Sequence, residues 1–204
     1  MLKLVVSHSK SMATLQELFK ETFRVWHEKS PGELPKQGSP TYDFFTKTLR
    51  NNFESSVIKL GFGGLKVKIS VGIGCWAEIP WIGMRNPYLT DNFEEGLYVV
   101  YLLAPDYDKL YLSIIQGVTR LTPEELDEST PRLRKEIGKP DDFSVGIDGK
   151  LSKNESFNSK PDKYERGILY SEKYDMHALP GEEVILRDLK AALSSYRDYV
   201  EKSI

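Results

Sequence analysis

The strongest constraint on the fold is a pair of eight-residue strand-forming runs with a short break between them. Gly96–Leu103 reads GLYVVYLL and Lys109–Gln116 reads KLYLSIIQ, joined through Ala104-Pro105-Asp106-Tyr107-Asp108. Two β-rich runs separated by Pro, Asp and Asp predict a hairpin. The first run is almost wholly apolar, so it belongs inside a sheet with both faces covered. Upstream, Leu65, Val67, Ile69 and Val71 alternate with Lys66, Lys68 and Ser70. Period two sends the apolar set to one face and both lysines to the other. Trp76–Met84 is a further strand candidate, with Pro80 demanding an edge or a bulge, and residues 85–95 read as a polar loop.

Helices flank this sheet in the sequence. Thr14 and Glu17 form a capping box, and Leu15, Leu18, Phe19, Thr22, Phe23 and Trp26 follow at helical spacing up to Pro31-Gly32. The periodicity makes Trp26 a core residue. Ser39-Pro40 starts a second helix, whose buried side is Phe44, Phe45, Thr48, Leu49 and Phe53; Lys47 and Arg50 lie opposite. Thr122-Pro123-Glu124-Glu125 is the clearest helix start, and the run Arg132–Lys135 before Gly138 suits the negative end of the helix dipole. Residues 139–163 are polar and predict loop, with short strands around Phe143–Ile147. Arg166–Tyr174 is a last strand, and Glu182–Val200 a closing helix. The expected fold is α+β: one domain, residues 1–204, with a curved mixed β-sheet on 65–116 and 166–174 flanked by α-helices.

Composition narrows the function classes. The chain has 204 residues and a formal net charge of −2, which argues against holding nucleic acid by a broad electrostatic field alone. One cysteine, Cys75, allows no internal disulfide and fits a reducing compartment; it has no basic neighbour in sequence and reads as a small buried residue. No run reaches the ~18 apolar residues of a membrane span, and the start MLKLVVSHSKSM is too weak for a secretory signal. A soluble, cytoplasmic chain is expected. His8, His27 and His177 show no ligand spacing, so neither metal nor cofactor is expected. Gly61-Phe62-Gly63-Gly64 and Gly72-Ile73-Gly74 precede no helix and read as turns rather than phosphate loops. What remains is a Gly-X-Gly turn between a lysine-bearing strand and an aromatic one. Lysines neutralise phosphate and planar side chains stack on bases; pattern alone, however, favours Trp76, Trp81 and Tyr98 as core.

The segments VGIGCWAEIPWIGM, GLYVVYLLAPDYDKLYLSIIQGVTRL, RGILYSEKY and LRDLKAALSSYRDYV, in this order and spacing, resemble the McrB-like (MrcB) N-terminal domain of modification-dependent restriction systems. The resemblance covers most of the chain. It implies a non-catalytic module that recognises modified (methylated or hydroxymethylated) cytosine in double-stranded DNA and flips the base into an aromatic and aliphatic pocket. It also implies work beside an AAA+ GTPase motor and a separate nuclease subunit, with the isolated domain monomeric. By position, Trp81 becomes a pocket wall, and Tyr98 and Leu102 line it from the next strand. Ile73 stands where a family member uses an aromatic on the flipped base, a departure that bears on which modification is preferred. Trp76, Tyr101 and Tyr111 are left as structural. Lys66, Lys68 and Arg85, the nearest cations, become contacts to the DNA backbone. Two rivals stay open: an adaptor or reader of another modified nucleic acid using the same aromatic surface, and a hydrolase acting on nucleic acid.

Overall fold

The computed structural model describes residues 13–30, 32–153 and 156–203. Pro31, His8 and the amino-terminal segment weighed as a leader lie outside them. Helix α1 (Leu15–His27) opens with the expected capping box, Thr14 with Glu17. Its first two amides also donate to the Glu182 carboxylate, at 3.0 and 2.9 Å. A carboxylate at a helix amino terminus meets both the orphan amides and the positive end of the dipole. Glu182 begins the closing helix α6 (Glu182–Ser203), so one acid joins the two helices. Between them in the chain, α2 (Pro40–Asp43), a π-helical stretch (Phe44–Leu49) and α3 (Arg50–Lys59) follow without a break. The wider π turn leaves Phe45, Leu49 and Phe53 all buried.

Six strands form one sheet: β1 (Lys66–Ser70), β2 (Trp81–Arg85), β3 (Leu97–Ala104), β4 (Lys109–Gln116), β5 (Ser144–Val145) and β6 (Ile168–Asp175), in the order β1-β2-β3-β4-β6-β5. The α+β class is as expected, but the sheet is not mixed, because every pairing is antiparallel. The long excursion after β4 carries α4 (Pro123–Glu136) and α5 (Lys160–Gly167). It brings the chain back to the end of the sheet it left, where Ile115 pairs with Ile168. A parallel neighbour would need a crossover to the opposite end.

Two further expectations change. The second strand starts at Trp81, not Trp76. Pro80 has no amide for the ladder and uses its carbonyl to accept from Leu103 N, at 2.9 Å. Residues 139–163 are not all loop, because α5 begins at Lys160. Its signal is present in Ser159-Lys160-Pro161-Asp162: a serine cap whose hydroxyl accepts from Asp162 N, an early proline and an acid at the third position.

Alternation sorts the strand residues onto two faces. Val67, Ile69, Ile82, Met84, Val99, Tyr101, Leu103, Leu110, Leu112 and Ile114 pack under α1, α3 and α6 in the larger core, with Phe19, Phe53 and Leu189. The opposite face carries Tyr98, Val100, Leu102, Ala104, Tyr111, Ile115 and Ile168 beneath Leu126 and Leu151. All eight residues of β3 are buried, as its continuous apolar run predicts. On this second face, cover ends at β2: the outward positions of β1 and β2 are Lys66, Lys68, Ser70, Trp81, Gly83 and Arg85, none of them fully buried except the glycine.

Candidate functional site

The connection from β1 to β2 is a compact loop. Ala77 N donates to Val71 O at 2.8 Å and closes it. Gly72 sits at φ +106°, and a Cβ there would stand 2.0 Å from Cys75 O and 2.6 Å from Ala77 N. Only glycine fits that approach and that backbone region. Ile73, between the two glycines, is 96% exposed at the tip. Cys75 is exposed too, contrary to the expectation of burial; the tight turn faces it outward, while Trp76 takes the inward place. The Trp76 indole donates to Glu33 O at 2.7 Å and meets Trp26 edge-on at 5.5 Å. Trp26 is thus structural, as expected, whereas Trp76 is anchored in the core and also lines the cavity beside the loop.

Beside this loop lies a cavity of ≈ 470 Å³, with Ile73, Glu78, Ile79, Trp81, Lys160 and Tyr164 in its lining. That volume falls within the range of about 300–1,000 Å³ typical of small-ligand sites. Trp81 is half-buried. Phe93 supports its ring at 5.1 Å between centroids, and Tyr164 stands with it in the lining of the cavity. Burial raises the Tyr164 pKa and keeps the phenol a neutral donor.

Ile73 and Trp81 therefore share one cavity. Tyr98 and Leu102 do not reach its surface, at 4% and 1% exposure. Leu102 is the register partner of Trp81, and Tyr98 packs edge-on to Phe93 at 5.0 Å. They form the buried layer that fixes the wall, and burial holds the Tyr98 phenol far above its ordinary pKa. Phe93, Tyr164 and Gly83 went unrecognised in the sequence. A Cβ at Gly83 would come within 2.5 Å of the Phe93 ring and 3.0 Å of Trp81; that glycine is the seat on which the two aromatics meet.

The cations gather next to the cavity. A groove of ≈ 600 Å³ is lined by Lys66, Lys68 and Arg85, by Arg50 and Thr46 from the helical layer, and by Asp91, its one carboxylate, with Asn92 and Phe93 from the loop before β3. Lys66 pairs with Arg85, and Lys68 with Gly83, across β1 and β2. Among the described residues no acid forms an ion pair with Lys66 or Lys68. Arg85 lies over the Phe93 ring at 5.7 Å and donates to Thr90 O, while Arg50 is engaged by Glu54 at 3.0 Å. Lys68 Nζ is 5.9 Å from the Trp81 ring centroid, joining groove to cavity.

Elsewhere, His27 and His177 each contact one oxygen of Asp108, at 3.1 Å. Among the described residues no group of three or more His, Cys, Asp or Glu side chains is arranged to hold a metal ion, and no helix is long and apolar enough to cross a membrane. No curated protein matches the chain. The family described as MrcB-like, N-terminal domain matches residues 23–201, nearly the whole chain. With its glycine-tipped loop, Trp81 cavity and cationic strip now described, the chain belongs to the MrcB-like N-terminal domain family.

Proposed function

We propose that residues 1–204 act as one non-catalytic DNA-binding unit that recognises modified cytosine in duplex DNA by turning the base out into the Trp81 cavity. In this reading Lys66, Lys68 and Arg85 hold the sugar–phosphate backbone, Trp81 is the stacking wall, Ile73 stands at the mouth, and Tyr98 and Leu102 fix the wall from behind. The single observation that carries it is adjacency. A cationic groove and an aromatic cavity occupy one uncovered strip of β1 and β2, joined where Lys68 approaches Trp81. Phosphate contacts position a duplex and aromatic faces receive a base. The net charge of −2 is no obstacle when the cations are this localised.

The energetics are balanced on a small scale. Extruding a base costs a few kcal/mol, and stacking on an aromatic returns about 1–3 kcal/mol. Closing the difference falls to the backbone contacts and to groups that read the modification. Nothing in the cavity needs to break a bond. Cleavage would fall to partners, and we assign the chain to a system with a GTP-hydrolysing AAA+ motor and a nuclease.

The test is titration at fixed salt against matched duplexes carrying cytosine, 5-methylcytosine or 5-hydroxymethylcytosine at one position. Preference for a modified duplex that Trp81→Ala abolishes is expected. Equal affinity for all three duplexes, unaltered in the variant, would overturn the reading. Affinity that ignores salt would point instead to a protein-binding adaptor, since DNA binding releases counterions and weakens steeply with salt.

A further inference from the structure

Within the cavity one side chain has no evident part in stacking or in holding phosphate. Glu78 is exposed to it and is its one carboxylate. Next to a surface that receives a polyanion, an acid weakens attraction through the field it adds, so a compensating contact is required of it. The carboxylate is not left to rotate freely: the hydroxyl of Ser152, a residue only 2% exposed, is hydrogen-bonded to Glu78 Oε1. No other described residue bonds the Glu78 carboxylate, and no ion pair joins it to Lys160, the cavity's one ammonium. One oxygen is anchored and the second is free to accept from a ligand. In the same lining, Tyr164 brings a phenolic O–H that burial keeps protonated. The cavity thus presents an acceptor and a donor beside a stacking wall.

Resting on the base-flipping reading above, we propose that Glu78 is the specificity residue for the heterocycle: it accepts a hydrogen bond from the exocyclic 4-amino group of an extruded cytosine and rejects thymine. Cytosine offers an amino donor with acceptors at N3 and O2, which complements an acceptor facing a donor. Thymine offers O4, an acceptor, where cytosine offers the amine. A carboxylate against O4 sets two acceptors together and leaves both unsatisfied, and sites built to hydrogen-bond one group discriminate sharply against its replacement. The task is a real one for a reader of modified cytosine, because 5-methylcytosine and thymine carry the same methyl group. A methyl pocket alone cannot tell them apart.

The experiment uses duplexes identical except at one position opposite guanine: cytosine, 5-methylcytosine or thymine, repeated with 5-hydroxymethylcytosine and 5-hydroxymethyluracil. The thymine mismatch is the easier to extrude, so any preference for 5-methylcytosine over thymine is earned inside the cavity. Wild-type protein is expected to prefer 5-methylcytosine over thymine, or the hydroxymethyl pair likewise, by about tenfold or more. Glu78→Gln keeps an acceptor for Ser152 and adds an amide donor for O4; its ratio should fall to within about threefold while the preference for modified over plain cytosine persists. Glu78→Ala should lower the same ratio by removing the repulsion and the amine contact together. Thermal melts confirm that both variants fold. A wild-type ratio retained in folded Glu78→Gln and Glu78→Ala overturns this assignment alone. If wild-type protein binds cytosine and every modified base equally, the base-flipping reading falls, and the assignment falls with it.

Discussion

The two five-residue strands β1 and β2 have two very different sides. Toward α1, α3 and α6 they present Val67, Ile69, Ile82 and Met84, none more than 9% exposed. Away from those helices they present Lys66, Lys68, Ser70, Trp81, Gly83 and Arg85. The backbone is common to both; only the parity of the residue differs. The cause of the contrast is the reach of the helical cover. On the first side helices span the sheet. On the second, cover extends over β3 and β4 and stops with Tyr164 of α5 against Trp81. A candidate site thus arises where the second layer ends and alternating residues are released from packing.

The comparison breaks first on the covered side. Phe53 is fully buried against Tyr101 and Phe19. Phe53→Ala should cost about 3–5 kcal/mol of stability through lost burial and an unfilled cavity, read by denaturant unfolding. The base preference of the protein that remains folded should be unchanged. If Phe53→Ala altered base preference without lowering stability, the division of labour between the faces would be wrong.

Alkaline pH probes the same side without mutation. Burial raises the pKa values of Tyr101 and Tyr174 far above the ordinary phenol, with the Asp188 carboxylate adding to both. Unfolded tyrosines ionise near pH ~10. Above that the unfolded state binds fewer protons than the native state, so stability falls as pH rises. The contribution is fully present below pH ~10, and at pH ~11 each of the two should have cost about 1.4 kcal/mol. Denaturation midpoints at pH 8, 10 and 11 test this; a flat profile would contradict it.

On the open side the sizes are smaller and the readout changes. Trp81→Ala should lose about 1–3 kcal/mol of affinity for the preferred modified duplex, with unfolding affected less than by Phe53→Ala because Trp81 is only half-buried. Lys66→Ala with Lys68→Ala should weaken all duplexes alike and reduce the slope of log affinity against log salt by about 2. A selective loss for one base would move those lysines from backbone contact to base reading. Cys75 supplies an independent reporter: it is exposed in the same loop, and bound DNA should slow its alkylation.

Much of this organisation was legible in the sequence because it rests on local rules. Thr14 and Thr122 both make their capping boxes. The alternation at Val67 and Ile69, and the hairpin around Pro105–Tyr107, follow from period and turn chemistry. The cationic group was also legible: Lys66, Lys68 and Arg85 line one groove because register places them on one face. What escaped was decided at long range. The partners of Trp81 come from residue 93, in the loop before β3, and from residue 164, on a helix hidden in a polar stretch. Tyr98 and Leu102 were placed on the pocket surface by resemblance, yet a buried strand with both faces covered holds them behind it. Pairing direction escapes the sequence for a related reason. The end of the sheet to which a fifty-residue excursion returns depends on how α4 and α5 pack, not on the letters of β4 and β6.

The smallest effect bears on the loop tip, where the resemblance implies an aromatic and this chain has Ile73. Ile73 is 96% exposed, so it contributes little to stability, and a replacement there should change unfolding by no more than about 0.5 kcal/mol. Its place at the mouth of the Trp81 cavity lets it touch whatever enters. Isoleucine offers dispersion contact without a flat face, whereas Ile73→Tyr adds one opposite Trp81. Part of the range of about 1–3 kcal/mol for stacking should then appear as a change in rank among cytosine, 5-methylcytosine and 5-hydroxymethylcytosine, the bulkier substituents responding most. The salt slope should not move, because no phosphate contact has been altered. A re-ranked panel at constant slope would locate base preference at the loop tip. An unchanged ranking would remove Ile73 from the pocket and leave discrimination to the residues deeper in the cavity.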